Sequence, residues 1–369
     1  MINKTFKSLL TVSTAMLAVV GSAQAGGFTR GKADTQIIYE EGNFNMRSGV
    51  TIVSPTRKYT DNINPATIGQ DYADTYVVPS FAFKANVTDD LRCAATMVNS
   101  VGGASSTSTA SDALGTLSEK FDSYEYGATC GYKFDLSKGR VWIVGGAYLE
   151  DYNYDRVIAN GAGKLTLDGK SYGYRVGAAY EIPEIALRTE LMYRSKAGND
   201  AKGSLTGVGA VYAPVENPQS VELNVQSGVA PGWLAFGSVR WTDWSSLSTL
   251  DIHAVALGGA VASQGTYYWR DAWTVTAGVG HAFNETFSGL AAITWDRGVG
   301  TGWDLSADVW TLSLGGSAKD KWGGELRGGV GLSRLGSSVD YNGTASTADD
   351  SAVGTDWSVA ANIGYAIKW

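Results

Sequence analysis

A group of cations raises the first chemical question. In "ALRTELMYRSKAG" (186–198), Arg188, Arg194 and Lys196 share one face of an alternating segment with Glu190 and Met192. Leu187, Thr189, Leu191 and Tyr193 take the other face. Arg175 and Arg240 fall on the corresponding face of their own segments. A guanidinium held out of water can grip a carboxylate with two parallel hydrogen bonds. Arg194, with Arg188, Lys196 and Arg240 behind it, is therefore a candidate to receive the acid group of an amphiphile. The same cations could instead pair with Glu190, Glu181 or Asp243.

Other chemistry finds little support. Hydrolysis by an activated serine needs a histidine in reach. His253 and His281 are the chain's two histidines, one at a loop edge and one in a short turn, "GVGHAFNET". No G-x-S-x-G occurs. Two His and two Cys are too few for a zinc site, so neither metal nor cofactor is expected. The glycines of "GGVGLSRLG" (328–336) suit a strand wall better than a phosphate loop. A net charge of −7 repels nucleic acid.

These residues need elements to position them. The chain opens with Lys4 and Lys7, an apolar run to Val20 and an A-x-A site at Ala23–Ala25, the pattern of a signal peptide over 1–25. Beyond it no run is apolar enough for a membrane helix. Gly, Tyr and Trp are abundant (47, 19 and 12) while mean hydropathy is slightly negative, which suits a β-barrel in a membrane. Period-two alternation predicts fourteen strands: 44–59, 75–87, 91–103, 121–135, 140–157, 166–182, 186–200, 218–230, 233–250, 270–283, 287–298, 307–318, 323–340 and 355–369. Short polar turns alternate with long loops, as in outer-membrane barrels. The last strand keeps Trp357, Val359, Ala361, Ile363, Tyr365, Ile367 and Trp369 on one face up to the terminus. It must pair with the first strand to close the wall, and such a terminal strand can address the barrel assembly machinery. Outer-membrane lipid and lipopolysaccharide would surround the barrel.

Cys93 and Cys130 lie on neighbouring predicted strands, near the same turn side and on the outward face. In an oxidising envelope they are expected to form a disulfide. The strand 234–240 places Leu234 and Phe236 opposite Ala235 and Val239, so an apolar lumen is expected, unlike that of a porin. Apolar runs at 205–215 and 253–262 fall in long loops, where they could form an outer docking groove.

In order along the chain, "SGVTIVSP", "TYVVPSFAFKANVTDDL", "ELMYRSKAG", "PQSVELNVQSGVAPGWLAFGSVRWTDWSSL" and "WRDAWTVTAGVGHAFNETFSGLAAITWDRGV" resemble the long-chain fatty acid transporter (FadL) family, which includes carriers of aromatic hydrocarbons. The resemblance implies a monomeric barrel over 44–369 with a small N-terminal hatch over 26–43. It also implies passive transport of long-chain fatty acids or other hydrophobic small molecules, released sideways through the wall into the outer membrane. A general porin is the alternative, and a lipid hydrolase a distant third. The family's inward kink in the third strand maps onto Asn99, Ser100, Val101, Gly102 and Gly103, the expected lateral gate. The two glycines there independently suggest a bend. One departure stands out: the family's N-P-A before the first strand is replaced by "YEEGNF", and Asn64-Pro65-Ala66 falls in the first long loop instead.

Overall fold

The computed structural model describes residues 27–341 and 350–369, so the expected signal peptide lies outside the described residues. Fourteen antiparallel strands form a closed barrel. They are β1 Phe44–Pro55, β2 Tyr76–Asn86, β3 Leu91–Ser106, β4 Ser118–Asp135, β5 Arg140–Ile158, β6 Gly163–Ile182 and β7 Leu187–Arg194. The second half is β8 Ser220–Ala230, β9 Trp233–Thr242, β10 Ala272–Ala282, β11 Phe287–Asp296, β12 Val309–Lys319, β13 Gly324–Leu335 and β14 Asp356–Lys368. Each strand pairs with the next, and β14 returns to β1. Closure leaves no sheet edge in lipid. At the seam the Phe44 and Trp369 backbones exchange two hydrogen bonds of 3.0 Å, which ties the chain's last residue into the wall.

Alternation decides the faces. Along β14, Trp357, Val359 and Ile363 are exposed on the outside, while Ser358 and Ala360 are buried inside. Trp241 pairs with Trp273, and Trp295 with Trp310, at one end of the outer surface. Trp233, Phe283, Phe287, Trp322 and Trp369 mark the other end. Trp233 and Trp241 are the two ends of one strand face, about 26 Å apart along β9 at ~3.3 Å per residue. Two aromatic girdles flanking an apolar band are the signature of a barrel that spans an outer membrane.

Four predicted strands are shorter than expected. The segment 44–59 breaks after Pro55, 186–200 after Arg194, 233–250 after Thr242, and 323–340 after Leu335. The apolar loop runs are not a groove. They fold into hairpins, Ala197–Leu205 with Gly209–Asn217 and Thr249–Ala254 with Ala260–Thr266. The first hairpin adds to the top of β6 at Leu165–Asp168, and the two hairpins join at Val211–Ala254. Leu165, Leu167, Ala201, Leu205, Val211, Ala213 and Ile252 meet in one core there. The apolar side chains serve the rim's own packing, which periodicity within a single loop did not reveal.

Residues 27–43 cross the barrel interior. A short 3-10 turn, Thr35–Tyr39, buries Ile37 and Ile38 completely against Ala82, Ala94, Trp142, Val144 and Ala179 of the wall. Cations pin its backbone. Lys84 donates to the carbonyls of Glu40 and Gly42 at 3.0 and 2.5 Å, and Arg92 to those of Ile38 and Glu40 at 3.2 and 3.0 Å. Arg47 grips the carboxylates of Asp34 and Glu40, each at 2.8 Å.

Candidate functional site

The lumen divides into a charged quarter and an open cavity. In the quarter formed by β4–β7, Arg194 pairs with Glu125 at 3.0 Å and also with Glu150. Arg175 pairs with Glu125 as well. Ser100 and Ser123 donate to Glu150 at 2.8 and 2.5 Å, and Asn217 donates to Ser123 at 3.0 Å. Two carboxylates against two guanidinium groups balance, and the hydroxyls complete the shell that buried charges require. Arg188 is similarly engaged, by Glu181 at 3.2 Å and by Gln226 at 3.4 Å. Lys196 lies beyond the strand break, exposed and paired with Glu216 at 3.1 Å. Glu190 accepts a hydrogen bond from Gln36 of the N-terminal segment. The single inward face predicted for Arg188 to Lys196 is thus distributed among three sets of partners.

Arg240 differs. It lines the main cavity, of about 250 Å³, and a smaller one of about 60 Å³. Its strand neighbour Glu222 is taken by Lys32 at 2.5 Å and contributes attraction from a distance. Among the described residues Arg240 has no hydrogen bond or ion pair of its own, and its Nε is buried without a partner. An uncommitted guanidinium on a cavity wall can receive an acid group.

The cavity is less apolar than the sequence suggested. Leu234 and Phe236 do face inward on β9, but Ser238, Arg240 and Thr242 follow them on the same face. Opposing strands add Thr51, Ser80, Thr274, Thr276 and Thr294 to apolar Val53, Val78, Ala82, Leu290 and Ala292. Ser and Thr recur among the inward positions of β9–β12, interspersed with apolar side chains and glycines, a pattern that reading one strand alone missed.

The five expected gate residues lie where the wall changes partners. β2 and β3 pair from Asn86–Arg92 up to Ser80–Val98 and no further. They rejoin above, where Asp74 N–H donates to the Ala104 carbonyl at 3.2 Å and Ala73 bridges Ser105. Between these points 75–79 and 99–103 are not paired with each other, a stretch of about 16 Å along the strands. The register irregularity falls between Asn99 and Val101, so the bulge centres on Ser100 and not on Gly102–Gly103. Gly102 and Gly103 stay paired to Asp122 and Phe121. Their missing side chains serve close approach: a Cβ at Gly102 would come within 2.6 Å of Arg30, and one at Gly103 within 2.8 Å of Phe121. On its freed edge β3 takes a new partner. Arg30 N–H donates to the Ser100 carbonyl and Gly102 N–H to the Phe28 carbonyl, both at 2.9 Å.

Residues 156–297 match the family model described as "Outer membrane protein transport protein (OMPP1/FadL/TodX)". The structure superposes on that of a Pseudomonas aeruginosa FadL homologue with a TM-score of 0.74 at 13% identity, covering 94% of this chain and 97% of that one. The fold is that of the FadL and TodX barrels. The Pseudomonas putida toluene transporter TodX gives a TM-score of 0.65 at 13% identity, covering 95% and 96% of the two chains. The Ralstonia pickettii toluene transporter TbuX gives 0.62 at 14%, covering 95% and 97%. No curated protein matches the sequence. This FadL-type barrel brings Cys93 and Cys130 directly opposite each other on β3 and β4, with Cα atoms 4.0 Å apart and sulfurs at the bonding distance of 2.06 Å. Its histidines stack on aromatic rings, His281 on Trp233 and His253 on Tyr212.

Proposed function

We propose that the protein is a passive outer-membrane channel for hydrophobic small molecules that carry a carboxylate, with long-chain fatty acids as the substrate class. The molecule enters from the outer loops, rests with its acid group on Arg240, and leaves sideways between β2 and β3 into the membrane. Residues 27–43 act as a hatch across the lumen. The observation that carries the reading is the unpaired stretch in the wall, at a level where irregular backbone is tolerated only when it lines a cavity. The family match over 156–297 supports the transport role. The uncommitted Arg240 supports an acid over a plain aromatic hydrocarbon.

The hydroxyls and charges interspersed along the cavity wall favour a second reading, a channel for small polar solutes. Liposomes holding the purified protein separate the two. Saturable oleate binding with little steady ion conductance is expected, whereas large conductance without binding would establish the porin reading.

A further inference from the structure

Arg30 sits in the wall gap with its hydrogen-bonding capacity mostly unused. It is 7% exposed, and neither Nε nor Nη2 has a partner. Nη1 makes one long bond, 3.3 Å, to Asn99 Oδ1. The rest of the guanidinium is held by shape: it stacks 4.3 Å over the Tyr76 ring and fills the space left by the absent side chain of Gly102. Asp122, across the sheet from Gly102, adds attraction but pairs with Lys120 at 3.6 Å and not with Arg30. A cation at membrane depth is unfavourable without a counter-charge, and a buried donor left unmade is costly. The two edges that position it, Tyr76 on β2 and Gly102 on β3, are the two sides of the gap. Arg30 also lines the cavity that holds Arg240.

We propose that Arg30 is a second carboxylate-binding site, which takes the acid group of the amphiphile at the wall gap while its tail lies between β2 and β3. This rests on the reading of the barrel as a carrier of such amphiphiles, and it adds a distinct site to it. Planar Nε and Nη2 present the two-pronged geometry that matches a carboxylate. A neutral molecule of the same length gains nothing there.

Native mass spectrometry of the whole mature protein in detergent, titrated with oleate or oleyl alcohol, tests the site. The wild type should hold two oleates at saturation. Arg30→Gln and Arg240→Gln should each hold one, with the lost site weakened at least tenfold. Arg30→Lys should retain the second oleate with reduced affinity, because the charge remains. Gly102→Ser, which fills the guanidinium's seat without touching the charge, guards against misfolding of the Arg30 variants and should also lose one oleate. Oleyl alcohol should not distinguish wild type from Arg30→Gln. Two oleates on folded Arg30→Gln, or a single wild-type site that disappears with Arg240→Gln alone, overturns the proposal. Oleate flux into liposomes separates the two readings: two bound oleates with no flux would defeat the transport role and leave the Arg30 site standing, and flux with one bound oleate would do the reverse.

Discussion

Two seams of the same barrel are built to opposite ends. The closing seam joins β14 to β1 through eleven consecutive residue pairs, from Asn45–Lys368 to Pro55–Ser358, without a register shift. The seam between β2 and β3 has seven pairs and then stops. The closing seam must hold strands from opposite ends of the chain, and it uses small residues, Gly49 against Gly364, to bring backbones together. The interrupted seam joins neighbours in sequence that need no such help. Its freed edge is covered by three residues of the N-terminal segment, held by two backbone hydrogen bonds. Pairing is continuous where the chain must close and interrupted between β2 and β3.

The largest effect expected from this contrast comes from stapling. Continuing the β2–β3 register would set Pro79 against Asn99. Linking Pro79→Cys to Asn99→Cys with a short reducible reagent should bring fatty-acid uptake to background, with recovery on reduction. The same link between Ile52→Cys and Ala361→Cys, a lipid-facing pair of the closing seam, should leave uptake unchanged. Equal loss in both would mean that the difference between the seams has no bearing on transport.

Next in size is the charged quarter. Arg194→Ala leaves Glu125 and Glu150 in excess of cations, and breaking such a buried group typically costs ~3–5 kcal/mol. The resistance of the folded barrel to heat, read by gel migration, should fall clearly, while oleate affinity should change less than twofold. Arg240→Ala should do the reverse. Loss of a charged hydrogen bond worth about 1.5–3 kcal/mol weakens oleate binding roughly ten- to a hundred-fold, with heat resistance retained. If Arg194→Ala gives the larger loss of affinity, the carboxylate rests on Arg194.

The smallest effect concerns Cys93 and Cys130. Unreduced protein should offer no thiol to a labelling reagent, and reduction should alter neither uptake nor heat resistance, because the bond joins residues that the β3–β4 ladder already holds opposite one another.

These seams were unequally legible in the sequence. Alternation in β4, β6 and β14 located the wall to within a few residues, because lipid on one side and a lumen on the other force a strict period of two. Glycines 102 and 103 pointed to the right part of β3, but the bulge falls at Ser100, whose hydroxyl is engaged by Glu150 from β5. Nothing local to β3 encodes that. The partners of Arg194 were out of reach for a similar reason. Glu125 and Glu150 lie on β4 and β5, and the barrel's register, not their spacing in sequence, brings them to it. The N-terminal segment left a weak signal. Lys32, Asp34 and Gln36 alternate in a short polar stretch, and each finds a charged side chain on the wall, Glu222, Arg47 and Glu190.

The closing seam also imposes a schedule. β1 is the first strand to be synthesised and β14 the last, yet they are one another's partners. Throughout translation, the edge of β1 from Asn45 to Pro55 lacks its partner, which does not yet exist. A chain that stops short of β14 presents two raw edges to lipid, which has no hydrogen bonds to offer them. Completion is therefore all or nothing: thirteen strands make no smaller version of this barrel, and β1 waits for β14 before the wall can exist.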